Sequence, residues 1–391
     1  MQFVHSEEQR LIRDSARALL MERAGSAQLR AALSEPGGYD RELWRTMVEL
    51  GWTGLALPED CGGAGLGWVE LCLLQEEQGR LLVASPFFAT SALAAPLISA
   101  SASETQRRAL LTRVARGEVR IACALNGTDG RPPPEGISVS LETRARGFSL
   151  SGVSDFVIHA DSADLLLVLA RTQHAQSAEG ISAEGISVVV IPAASAGVTI
   201  HPHVMLDLTR PMSRVELNGV TVEPQQVLGE AGAAGSAVAE GLDRARIALA
   251  SEALGGAERV LEMTTAYVKE RLQFGRPIGS FQAIKHRLAD MMIEVEAAKS
   301  AAWYAACVAD ERPKELAEAA AIAKSYCCDA FFDCAANAIQ LHGGIGFTWE
   351  HDAHLYFKRA RATATLLGSP AWHRERLVRH FATGAAPTPV F

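Results

Sequence analysis

No run of about eighteen apolar residues interrupts the 391-residue sequence, so a membrane-spanning helix is not expected. The first twenty residues interleave Glu7, Glu8 and Arg10 with apolar side chains at helical spacing. That is neither the apolar core of a secretory signal nor the acid-poor composition of a transit peptide, and a cytoplasmic location is expected. Paired cysteines are also missing. Cys61, Cys72, Cys123, Cys307, Cys327, Cys328 and Cys334 form no C-x-x-C and have no histidines at metal spacing, so they read as free, mostly buried thiols in a reducing compartment, with no metal site. There is no basic excess either. Asp and Glu outnumber Lys and Arg by 45 to 37, a formal charge of −8, which disfavours nucleic acid as a partner and with it a DNA-binding or scaffold role. The one basic run, Lys358, Arg359 and Arg361 followed by Arg374, Arg376 and Arg379, reads as a solvated or ion-paired helix face.

What is present is an ordinary globular balance, 48% apolar and 21% charged, in a chain too long for one comfortable core. Residues 1–118 carry helical periodicity, with Leu11, Ile12, Ala16, Leu19 and Leu20 on one face and a helix expected from about Val69 to Arg80. The loop Leu57-Pro-Glu-Asp-Cys-Gly-Gly-Ala-Gly-Leu-Gly67 is glycine-rich but lacks the Lys-Ser/Thr and the preceding strand of a P-loop. In residues 119–229 the period falls to two and β-branched residues dominate, as in Leu165–Leu169 and Ile186–Ile191. A partial repeat of Ile-Ser-Ala-Glu-Gly between Ser177 and Ser187 reads as a slipped duplication in a hairpin loop, without a function. Residues 230–391 return to helix. Ile284, Leu288, Met291, Met292, Val295 and Ala298 form a bundle stripe, further helices are expected near 314–341 and 351–366, and the tail after Gly384 is expected to fray. The fold class is therefore α+β: an N-terminal helical domain, a middle β-barrel or sandwich, and a C-terminal four-helix bundle.

Two stretches carry chemistry. Glu270-Arg-Leu-Gln-Phe-Gly-Arg-Pro-Ile-Gly-Ser-Phe-Gln282 offers a cation at Arg271, and Gln340-Leu-His-Gly-Gly-Ile-Gly-Phe347 offers two residues, Gly343 and Gly344, whose backbone N–H groups a phosphate can approach closely. The plainer readings are a helix-end ion pair and a helix C-cap. Together with the Leu57–Gly67 loop and Arg214-Val-Glu-Leu-Asn-Gly-Val220, these stretches resemble the signatures of the acyl-CoA dehydrogenase family over nearly the whole chain.

That resemblance implies FAD, an acyl-CoA substrate, electron-transfer flavoprotein as electron acceptor, and a homo- or hetero-tetramer. It implies that Arg271, Phe274, Gln282, Gln340, Gly343 and Gly344 reach the adenosine-diphosphate half of a neighbouring subunit's FAD, that Phe156 packs on the flavin, and that Arg246, with Asp243 beside it, lies near the CoA moiety. The chain departs from the family where a base is required. A carboxylate must take the α-proton as the β-hydride leaves, yet the usual position falls on Leu367, in Leu366-Leu-Gly-Ser369, and the minority position on Ala245. Glu252, seven residues beyond Ala245 and so on the same helical face, is the remaining candidate; a buried or paired structural role is its plainer reading. The flavin-cradling segments also differ, reading Leu125-Asn-Gly-Thr-Asp-Gly130 and Phe156-Val-Ile-His159, where Ile158 has no hydroxyl. A base-less subunit of a heteromer is thus expected, with a self-sufficient homomer using Glu252 as the alternative.

Overall fold

A computed structural model describes residues 4–172 and 185–382. Most of the Ser177–Ser187 repeat and the tail beyond Gly384 lie outside the described residues. In chain order the helices are α1 (Glu7–Arg23), α2 (Ser26–Ala32), α3 (Arg41–Glu49), α4 (Trp68–Arg80), α5 (Ala95–Ser101), α6 (Glu104–Ala115), α7 (Gly235–Glu270), α8 (Gln282–Glu311), α9 (Leu316–His342), α10 (Ala353–Thr365) and α11 (Pro370–Ala382). The strands are β1 (Ile121–Ala124), β2 (Ser140–Thr143), β3 (Phe148–Ile158), β4 (Leu165–Thr172), β5 (Ile186–Pro192), β6 (Val198–Pro202), β7 (Met212–Val222), β8 (Val227–Leu228), β9 (Leu272–Gln273) and β10 (Arg276–Pro277). Among the described residues no helix is long and apolar enough to cross a membrane.

The chain forms two compact units. One comprises residues 1–30, 68–83 and 246–391, the other 31–67 and 84–245. The second holds an eight-stranded mixed sheet in the order β6-β7-β3-β2-β4-β5-β8, with β1 also pairing β4 in parallel. Alternate residues of its strands, among them Leu150, Leu166, Val168, Ile191 and Val215, bury one face into a common core, as the period of two requires. Strand β3 pairs with β7 through register shifts at Leu150/Gly152 and Ser154/Val157. Phe156 falls in the second shift with φ 56°, and this bulge turns its ring outward to 41% exposure.

In the first unit α9 is central, touching α8, α10 and α11. Its sequence explains the placement. Small residues, Ala319, Ala320, Ala323, Cys327, Cys328, Cys334, Ala335 and Ala338, are buried around much of the helix and let neighbours approach closely. All seven cysteines are free and buried, and burial pushes thiols such as Cys72 and Cys334 up to about 12, which leaves them un-ionised at neutral pH. On α8 the stripe is narrower than its spacing suggests. Met291, Val295 and Ala298 are buried, but Met292 is 57% exposed, because neighbours 100° apart on a helix cannot both face one packing partner.

Helix α4 crosses α7 backbone against backbone. A Cβ on Gly255 would stand 1.9 Å from the Glu76 carbonyl oxygen, and one on Gly79 would stand 2.0 Å from that of Glu252. Charges lock the crossing. Arg80 of α4 spans to Glu258 at 3.0 Å and Glu262 at 2.6 Å on α7, while Arg17 ties α1 to α4 through Glu77 at 2.6 Å. Neither glycine needs φ > 0, so Gly255→Ala tests steric contact alone. It is expected to lower stability by at least the ~1–3 kcal/mol typical of an overpacked core, read as a lower midpoint in denaturant melts.

Candidate functional site

The first cluster forms where α7 and α9 end. Tyr267, one turn before Arg271, donates its hydroxyl to the His342 carbonyl at 3.3 Å, and the two rings stack with centroids 4.3 Å apart. Burial lowers the His342 pKa, and Nδ1 lies 2.8 Å from the Ala338 carbonyl, so a neutral ring fastens the residue that precedes Gly343. The stretches around Arg271 and Gly343 are thereby joined. After Arg271 the chain turns through the β9–β10 hairpin, whose central residues Phe274 and Gly275 have φ of 54° and 76°, the signature of a two-residue turn of the primed type.

This arrangement leaves several groups unused by the chain itself. Arg271 is exposed and has no side-chain hydrogen bond or ion pair among the described residues, and Phe274 is 91% exposed. Gln282 and Gln340 are exposed as well. Gly343 ends α9 with φ 63°, which requires glycine for backbone reasons and makes it a C-cap. Gly344 has no such requirement. A Cβ at either position would meet nothing within 4 Å, so internal packing does not demand the absence of a side chain. An open guanidinium one turn beyond Tyr267, with two bare backbone positions directly after its partner His342, is a fit for a phosphate-bearing group approaching from outside.

The second cluster surrounds the α10–α11 loop. Leu367 is 3% exposed and holds a left-handed backbone, φ 57°, that costs a residue with a Cβ about 1–3 kcal/mol. Three buried side chains hold it there. Arg246 Nε donates to the Leu367 carbonyl at 3.1 Å, and His373 Nε2 reaches the same oxygen at 3.2 Å. Lys324, fully buried, donates to the carbonyls of Thr363, Ala364 and Gly368 at 3.0, 3.4 and 3.2 Å, placing a cation at the C-terminal end of α10 where the helix dipole favours it. The His373 pKa is pushed down to about 2, first by burial and then by Arg246, Lys324 and Arg376, so the ring is neutral and Nε2 carries the proton it donates. The Arg246 guanidinium also lies 5.1 Å from the centre of the Trp372 ring.

Of the residues expected to act as a base, Leu367 presents an apolar side chain in this loop, and Ala245 is buried without a polar group. Glu252 is 5% exposed and ion-paired at 2.8 Å with Arg359, which is 3% exposed. Arg359 therefore leaves the basic run to anchor a carboxylate, while Arg374 and Arg379 pair with Asp329 and Glu375 nearer the surface. Asp243 is 3% exposed and Arg246 2%, the latter committed to the loop carbonyl.

In the other unit the outward ring of Phe156 stacks on His203 at 5.6 Å. Asp155 beside it binds His203, Arg214 at 3.1 Å and the Phe156 N–H at 3.1 Å. Burial alone would raise this carboxyl; the bonds from His203, Arg214 and the Phe156 N–H outweigh it and hold it below the usual range. Ile158 is buried at 4%. Sequence reasoning missed Lys324, Arg359, His373, Tyr267 and this Asp155 triad. Lys324 had a readable signal, a lone cation inside Leu316-Ala-Glu-Ala-Ala-Ala-Ile-Ala-Lys-Ser-Tyr-Cys-Cys328; the others had none. No group of three metal-ligating side chains occurs among the described residues.

Comparison with known proteins shows the family. Residues 6–118 match the family model "Acyl-CoA dehydrogenase, N-terminal domain", and residues 234–382 match "Acyl-CoA dehydrogenase, C-terminal domain". Acyl-CoA dehydrogenase IpdE2 of Mycobacterium tuberculosis is 34% identical over 365 residues, 93% of this chain and 94% of that protein. Among solved structures, a variant of the Tcur3481-Tcur3483 steroid ACAD superposes with a TM-score of 0.85 at 32% identity, covering 97% of this chain and 99% of that one. The ChsE4-ChsE5 complex from Mycobacterium tuberculosis superposes with a TM-score of 0.87 at 27% identity over 100% of both chains. With the open guanidinium and bare glycines at the ends of two bundle helices, and with similarity over nearly its whole length, this chain is a member of the acyl-CoA dehydrogenase family.

Proposed function

We propose that this chain is a subunit of an FAD-dependent acyl-CoA dehydrogenase, acting in the α,β-desaturation of an acyl-CoA thioester as the base-less member of a hetero-oligomer. The observation that carries this reading is the Leu366–Ser369 loop. Its backbone is held by Arg246, His373 and Lys324 in a strained left-handed shape, yet the side chain presented there is leucine. A costly shape kept without its carboxylate fits a catalytic loop whose base has been given up to a partner. Glu252 does not replace it, because its carboxylate is spent on Arg359.

In this reading Arg271 neutralises part of the FAD diphosphate of an adjoining subunit, the N–H groups of Gly343 and Gly344 approach its oxygens, and Phe274, Gln282 and Gln340 border the adenosine end. FAD, when bound, supplies the acceptor for the β-hydride. The α-proton passes to a glutamate on the related partner, and electron-transfer flavoprotein takes the electrons onward. The two-protein name of the ChsE4-ChsE5 structure supports a heteromer, and the steroid designation of the Tcur3481-Tcur3483 relative supports a bulky acyl chain as substrate class.

Purified alone, the chain is expected to carry little flavin absorbance near 450 nm, about the usual oxidised-flavin maximum, and to gain it with acyl-CoA turnover on co-expression with a glutamate-bearing relative. Full FAD occupancy and turnover by the lone chain would overturn the heteromer. In the assembled complex Arg271→Ala is expected to weaken FAD binding about ten- to a hundredfold, the loss of one charge-assisted contact, measured by flavin release on dilution. Glu252→Gln is expected to lower thermal stability by the ~3–5 kcal/mol of a broken buried ion pair while sparing flavin reduction by substrate; loss of reduction with FAD still bound would instead make Glu252 the base.

A further inference from the structure

Away from both clusters, the first unit contains a cavity of about 470 Å³ between α1, α4, α7 and α8. That volume lies within the roughly 300–1,000 Å³ typical of small-molecule sites. On α7 it is lined by Ser251 and Leu254, and at 3.6 residues per turn Leu254 lies on the side of the helix opposite Ala245 and Glu252. The cavity is thus separate from the face that carries the candidate base positions.

Its walls are divided by chemistry. The floor is apolar, built from Val69, Leu73, Leu254, Ala302 and Ala306, and Trp303 closes one side, braced edge-on by His5 at 4.2 Å. Cys72 adds a thiol that burial keeps un-ionised, so it counts as apolar surface. The rim carries the cations Arg10, Arg13 and Lys299, of which Arg13 also meets Asp14 at 3.3 Å and Lys299 meets Glu258 at 3.6 Å. One acidic group faces inward, Glu76, whose side chain has no hydrogen bond among the described residues. Its position follows from the α4–α7 glycine crossing, which fixes the Glu76 backbone against Gly255.

Charge decides what this space suits. Glu76 is faced by Glu77 on its own helix, Glu258 on α7, Lys299 on α8 and Arg13 on α1. Burial, then Glu258 and Glu77, push its carboxyl up to about 8, against smaller opposing effects of Lys299 and Arg13. At pH 7 it is therefore mostly neutral, so the groups that line the cavity are three cations and no ionised carboxylate, above an oily floor. The neighbouring His5 is shifted toward its neutral form, first by burial and then by Arg13, and adds no positive charge of its own.

We propose that the cavity binds an amphipathic carboxylate, with the hydrocarbon on Leu73, Leu254 and Trp303 and the carboxylate among Arg10, Arg13 and Lys299. The site is independent of the dehydrogenase reading. It holds whether or not the chain desaturates an acyl-CoA, because none of its residues belongs to the clasp or the loop described above.

Calorimetric titration of the purified protein, in whatever assembly it forms, with octanoate, octan-1-ol and octylammonium tests the idea with one tail and three heads. Octanoate is expected to bind tightest at pH 7 and to weaken at pH 9, where Glu76 has ionised and repels it. Lys299→Glu, at a side chain 48% exposed, reverses a rim charge and is expected to weaken octanoate by about tenfold or more. Ser300→Trp, at an exposed position on the same rim, fills the space and is expected to abolish binding without unfolding the protein. Equal or tighter binding of the alcohol or the amine, octanoate binding that strengthens at pH 9, or octanoate affinity unchanged in Ser300→Trp would each overturn the proposal. So would a flat titration of the wild-type protein.

Discussion

Two glycines with no side chain to spare decide where α7 lies. Because Gly79 and Gly255 let α4 and α7 touch backbone to backbone, the long helix is held at one depth and one rotation in its unit. Side chains along α7 then fall where that rotation puts them. Arg246 reaches the Leu367 carbonyl, Glu252 meets Arg359, Leu254 lines a cavity, and Tyr267 grips the end of α9. A methyl group at the crossing would have to move the helix, and every one of these contacts would move with it.

Some cations of this unit are consumed by the fold and others stay open to solvent. Arg246, Lys324 and Arg359 are almost wholly buried, and each has partners. Burial of such charges is costly, and carbonyl oxygens and a carboxylate compensate for it, so these groups define local shape more than they add stability. Arg271 is the reverse case, solvated and unpaired among the described residues, one turn beyond the Tyr267 that meets His342. A solvated guanidinium keeps its binding capacity for a partner from outside. The contrast separates charges with partners inside the fold from those open to solvent.

Much of this was legible in the sequence where one residue's chemistry suffices. The return to helical period, the change to period two and the glycine pair follow from residue type and spacing, while the expectation of an absent base at Leu367 and Ala245 rests on the family resemblance. The α8 stripe was legible only in part, since spacing alone could not tell that Met291 would be covered and Met292 left exposed. Nor could it show that Arg359, in a run that reads as surface, lies buried against a glutamate more than a hundred residues earlier. Phe156 was recognisable as an aromatic, but its outward turn depends on a register shift against β7.

The sequence by itself determined which groups exist: an arginine and two glycines, a leucine and an alanine at the positions where the family resemblance expects a carboxylate, and a net charge of −8. Tertiary structure alone decided which of them are free to act. Arg271 stays available while Glu252 is taken up, and Glu76 faces a cavity with its charge suppressed. Availability depends on burial and on partners distant along the chain, and those are set by how helices cross rather than by the residues flanking each position.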